Sequence, residues 1–188
     1  MIVIKKGKKL NMKKLIIYIS LVLVFILTYL LQSIFFTNFT IAGIMPNIFI
    51  ILVLYIGLYM GRSMGIIFGI IFGIFLDIWI GKDLGLTSIC LASIGLLGGI
   101  FDKNFSKDSR ITIILMGIIC TILYETMLYI LKYFSLEINI EVVEFVKILS
   151  IEVLYNALII TILYPLIKFT GDEIESEIKG DKILTRYF

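Results

Sequence analysis

The chain reads as long apolar blocks divided by short polar ones. Leu15 to Phe36 carries no charge over 22 residues, enough to cross a bilayer as a helix. It is longer than the ~7–15-residue core of a signal peptide and lacks a small-x-small cleavage site, so it is expected to remain as a span. Gln32 and Ser33 near its far end either bond to a neighbouring helix or lie at the water interface. Pro46-Asn47 opens the second block, since Pro is tolerated in a helix's first turn. That block, 46–60, falls short of the ~20 residues the hydrocarbon core needs. It reaches across only if the loop 41–45 extends it, if it tilts, or if it is buried in protein. Arg62-Ser63 reads as a turn. Further spans are predicted at 64–80, 86–101, 111–131 and 145–169. A basic N-terminus occupies 1–14 and a charged tail 170–188, the tail expected to fray from Gly171 onward. Met12-Lys13-Lys14 before the first span also reads as a start of its own, so Met1 and Met12 stand as alternative starts.

Within the second and third blocks glycine recurs at every fourth position: Gly57, Gly61, Gly65, Gly69 and Gly73, with the next step landing on Asp77. Residues four apart share a helix face, so Gly65, Gly69 and Gly73 make a groove without side chains. In water each glycine would weaken a helix by ~1 kcal/mol relative to Ala. In lipid the backbone keeps its hydrogen bonds, and small residues let another helix approach closely. The ladder is therefore expected to be a packing seam, with Asp77 at its end. Trp79 fits the aromatic belt at a membrane interface. Six spans is the leading reading; four or five, with one glycine-rich segment re-entrant, is the alternative.

Composition supports the membrane reading. The 188 residues are 60% hydrophobic and only 16% charged, with a mean hydropathy of +1.08; soluble domains hold about 25% charged residues. The 17 basic residues are unevenly placed. With six spans and the N-terminus inside, one side collects the six N-terminal lysines (Lys13 and Lys14 among them), Arg62, Lys103, Lys107, Arg110, Lys168 and the basic residues of the tail. The other side holds Lys82, Lys132 and Lys147. Basic loops stay in the cytoplasm, so both termini are expected there, in a multi-pass membrane protein. Beside a span, the lysine-rich N-terminus is a topology signal that touches anionic lipid; it is not read as a nucleic-acid site.

Asp77, Glu125 and Glu152 are the carboxylates inside spans. A charge at the bilayer centre costs at least ~2.5–3.5 kcal/mol, so each must face the bundle interior, a wet cavity or an interface. They serve a proton or cation pathway or a partner helix, or they fix helix register. For Asp77 the alternatives are a docking point for a partner helix, a cap on the Gly81 turn, or a pair with Lys82. Glu152 and Asn156 lie four apart on one face and could bond to Glu125 on the preceding antiparallel helix. No catalytic set is assembled. Histidine is absent, and there is no Ser-x-x-Lys, phosphate loop or HExxH. No metal or cofactor is expected. Cys90 and Cys120 stand alone in apolar runs and read as core residues.

These residues together resemble a known family. The Phe-Gly-Ile-Ile-Phe-Gly-Ile-Phe-Leu-Asp segment ending at Asp77 is similar to the Gly-Phe-x-x-Gly-Leu-x-x-Asp pattern of the rod shape-determining MreD proteins. Pro46-Asn47, Glu125, Asn156 and Pro165 are weaker matches, and the likeness covers 12 to about 170. The resemblance implies an all-α bundle of about six transmembrane helices, similar to the substrate-binding membrane subunits of energy-coupling transporters. It implies a non-enzymatic role in the cell-elongation complex that supports lateral peptidoglycan synthesis. It also implies MreC as a partner, with MreB, RodA and the elongation transpeptidase contacted directly or indirectly. The alternative is a transporter subunit that binds a vitamin or another small molecule. Such a subunit needs a sealed polar pocket reached from outside, and the spans supply few convergent polar groups for one.

Overall fold

The computed structural model describes residues 2–80, 85–136 and 141–179. Six helices account for most of them. Helix α1 (Ile2–Leu30) runs on through a π-helical stretch, Leu31–Phe35, and a last turn, Phe36–Asn38. The others are α2 (Ile48–Met60), α3 (Arg62–Ile80), α4 (Leu86–Asn104), α5 (Arg110–Leu136) and α6 (Val142–Lys179). Among the described residues there is no strand beyond one isolated bridge between Ile41 and Ile44. Five of the six helices are long and apolar enough to cross a membrane. The protein is an all-α membrane protein.

The exception is α2, at 13 residues, or ~20 Å of helix. It is the centre of the bundle. All of it except Tyr55 is buried, and it touches each of the other five helices. A helix that is apolar all round belongs in a core, so burial in protein accounts for the short second block. Glycine 61 alone joins α2 to α3. Its φ of 92° and ψ of 174° lie in a region that only glycine occupies readily. Arg62 and Ser63, expected as the turn, instead form the first residues of α3.

The glycine seam is closed within the chain. Gly65 packs on the backbone of Gly95, Gly69 on Leu91 and Ala92, and Gly73 on Ser88, all in α4. Gly57 of α2 meets Gly95 and Gly98 of the same helix. Small residues on both sides let the backbones meet, the arrangement that substitutes in lipid for a hydrophobic driving force. Ser88 adds a hydroxyl bond to the Ile70 carbonyl across the seam (3.1 Å). Helix α1 is the outermost element. It holds through Phe25, stacked on Phe72 of α3 at 4.1 Å, and through Tyr29, edge-on to Trp79 at 5.7 Å.

The charged segment after Gly171, expected to fray, continues α6 to Lys179. It is held by packing and charge. Gly171 lies against the Tyr59 ring, Thr170 accepts the Tyr55 hydroxyl at 2.9 Å, and Glu175 is buried.

Candidate functional site

Asp77, Thr121, Glu152 and Asn156, four of the buried polar residues, gather at one end of the bundle, where α1 meets α2, α3 meets α4, and α5 and α6 approach each other. A cleft of about 550 Å³ opens there. Its roof is the connection from α1 to α2. Ile41 and Ile44 exchange both backbone bonds at 3.0 Å, and the two residues between them, Ala42 and Gly43, have φ of 52° and 79°. Positive φ at both central positions marks a type I′ turn, uncommon for an Ala. Gln32, in the π-helical stretch, fastens this roof. Its amide donates to the Pro46 carbonyl (2.5 Å) and accepts from the Ile48 N–H (3.3 Å). Gln32 is thus a helix-to-helix contact, whereas Ser33 is exposed and its hydroxyl donates to the Tyr29 carbonyl of its own helix.

Asp77 closes one wall. It is 4% exposed. One carboxylate oxygen accepts the N–H groups of Gly85 (2.9 Å) and Ser88 (3.2 Å), and the other accepts Thr87 N–H (3.2 Å). The last turn of α3 thereby caps the N-terminus of α4, where free N–H groups and the helix dipole both favour an anion. Of the roles open to Asp77, the structure shows a cap, displaced beyond the Gly81 turn to α4 itself. Both of its oxygens accept bonds within the chain, and the carboxylate is buried. Lys82 lies outside the described residues.

Glu125 and Glu152 form the floor, their carboxyls within hydrogen-bonding reach of each other. The predicted pairing of α5 with α6 is present for these two. Asn156 is placed differently. It is 1% exposed, accepts the Asn47 backbone N–H (2.9 Å) and donates to the Thr121 hydroxyl (3.1 Å), joining α6 to α2 and α5. The partners Thr121 and Asn47 carry no charge, so a search for intramembrane charges passes over them.

The opposite end is cationic. Lys107, counted in the sequence only as a topology signal, is buried. Its ammonium donates to Asp102 and Glu175, both at 2.7 Å, and to the Leu58 carbonyl at 3.1 Å, and it lies 4.8 Å from the Tyr59 ring centroid. Lys179 adds a second bond to Asp102 (2.6 Å). The signal was the i,i+4 spacing of Glu175 and Lys179, a helical pair rather than a frayed tail. Arg62 packs on Gly99, Lys13 pairs with Glu177, and Arg110 lies over the Tyr164 ring at 5.1 Å. With their chain neighbours Lys14 and Lys103, these residues share one end of the bundle. Among the described residues, no cluster of three His, Cys, Asp or Glu side chains could hold a metal.

Comparison with known proteins decides the family. The model of the rod shape-determining protein MreD matches residues 12–170. The chain belongs to the MreD family. No curated protein and no solved structure matches it. The family match covers every span from α1 to α6, so this member of the MreD family is a rod-shape-determining membrane component. The match ends just before the segment whose Glu175 and Lys179 tie α6 to Asp102 and Lys107.

Proposed function

We propose that the protein is a non-enzymatic component of the cell-elongation complex in the bacterial cytoplasmic membrane, with both termini in the cytoplasm. It supports lateral peptidoglycan synthesis through MreC, and MreB, RodA and the elongation transpeptidase join that assembly directly or indirectly. The observation that carries this reading is the family match along nearly the whole membrane domain. The internal use of the glycine seam adds a constraint: a single-helix partner is received on an outer face of the bundle and not in the groove. The direct test is co-purification. Tagged protein solubilised from cells should bring MreC with it at a fixed ratio; recovery of abundant, folded protein with no MreC above an untagged control overturns the partner assignment.

A further inference from the structure

The cleft between the helix ends combines features that a packing role leaves unexplained. Its walls are apolar, with Phe49, Leu76, Leu128 and Ile148 among them, and its floor is the Glu125–Glu152 pair. Glu152 is 6% exposed, and among the described residues no N–H or hydroxyl donor reaches its Oε1. A buried acceptor left unmade costs its full desolvation, more when the group can carry charge. Among the described residues no ion pair reaches either glutamate. Asp77 lines the same cleft, where both its oxygens already accept N–H groups at the start of α4, and it adds negative potential there. The cation among the lining residues is Lys132, ~10 Å along α5 from Glu125; its charge acts on Glu125 without pairing with it.

We propose that this cleft binds a small organic cation: a primary ammonium on a compact apolar body, the ammonium held between Glu125 and Glu152. An ammonium has three donors and no acceptor. Once the buried Glu152 carboxyl turns its Oε1 toward the cleft, an ammonium can serve that oxygen and the Glu125 carboxyl together, while its charge offsets theirs. Water would supply the donors without offsetting the charge. A hard metal ion would need six to eight oxygens, and no such cluster surrounds the pair. An anion would meet three carboxyl groups. The volume falls within the ~300–1,000 Å³ of small-molecule sites, which are likewise apolar with a few placed polar groups. The proposal goes beyond the wall-elongation role and stands whether or not MreC binds. With both termini in the cytoplasm, the cleft opens to the outer side.

The test uses the full chain purified in detergent. A thiol-reactive dye reports unfolding as Cys90 and Cys120, both fully buried, become accessible. Phenethylammonium is the probe, methylammonium a smaller one, and 2-phenylethanol the neutral control. At about ten times its Kd the phenethylammonium should raise Tm by ~3 °C or more, saturably, and the alcohol should not. Glu125→Gln and Glu152→Gln should each cut the rise by more than half. Ile148→Trp, which fills the cleft and leaves both carboxyls in place, should do the same and guards against a glutamate variant that fails to fold. No saturable rise with either ammonium overturns the proposal. So does an equal rise with the alcohol, or in the folded variants.

Discussion

At the scale of single residues, Asp77 has the most to do. Two oxygens satisfy three N–H groups at the start of α4. Asp77→Asn keeps one acceptor oxygen and turns the other into a donor facing N–H groups. Loss of a helix cap costs ~0.5–2 kcal/mol, which for a chain of this size lowers Tm by ~2–6 °C. We therefore expect less Asp77→Asn protein in the membrane and a lower melting point, with MreC recovered per molecule unchanged. Full abundance together with reduced MreC recovery would return Asp77 to the role of a partner contact. The residue's importance was legible in the sequence, as a carboxylate one helical step beyond a glycine ladder. Its partner was not, because the three donors are backbone groups and carry no mark in the side-chain sequence. Asn156 was singled out but matched with Glu125, for a related reason: its bonds go instead to a backbone N–H and a threonine hydroxyl, and neither carries a charge to look for.

At the scale of elements, the closest fit is between α3 and α4. A Cβ placed on Gly69 would lie 2.6 Å from the Leu91 carbonyl oxygen and 2.8 Å from the Ala92 Cα. Both are backbone atoms, which cannot rotate aside as a side-chain tip can. Overpacking a core costs ~1–3 kcal/mol, and here relief requires the two helices to separate. Gly69→Leu should sharply lower the yield of folded protein, whereas Ile71→Leu, on the exposed face of the same helix, should leave it unchanged. Quantifying both by fluorescence-detected size exclusion in detergent separates the cases; equal monodisperse yields would mean the seam tolerates a gap. The seam was readable because a four-residue repeat is a geometric statement about a helix face. Its partner strip was also visible, in Ala92, Gly95 and Gly98, yet repetition alone does not say whether two such strips meet within one chain or between two. The end of α6 was misread on composition: a charged tail and a charged helix have the same residues, and burial of Lys107 against Glu175 is what distinguishes them.

At the scale of the whole molecule, the two ends of the bundle differ in charge chemistry. One end holds the carboxyl-lined cleft, the other Lys107, Lys13 and the arginines Arg62 and Arg110. Basic residues concentrate on the cytoplasmic side of membrane proteins, so a cysteine at Ser106, in the exposed α4–α5 connection, should react with impermeant reagents only after cells are opened. A cysteine at Asn139, between α5 and α6, should react in intact cells. Labelling of position 106 in intact cells overturns the topology and, with it, access to the cleft from outside. The block pattern conveyed the number and order of the helices, since each polar interruption falls near a helix end. It did not convey which helix is central. A short apolar block reads as a deficient span until it is seen enclosed by the other five.

That enclosure has a consequence for how the chain is made. Helix α2 leaves the ribosome before α3, α4, α5 and α6 exist, so the surface that later faces protein must first face lipid. Its unbroken apolar sequence suits both surroundings. Its first turn is completed in two instalments. Gln32, already synthesised, can take the Ile48 N–H at once, but the Asn47 N–H waits for Asn156, 109 residues downstream. At ~5–20 residues per second that interval is about 5–20 s. During it the young protein carries an unmet donor at the rim of the future cleft, and the sixth helix arrives as the piece that closes the account of the second.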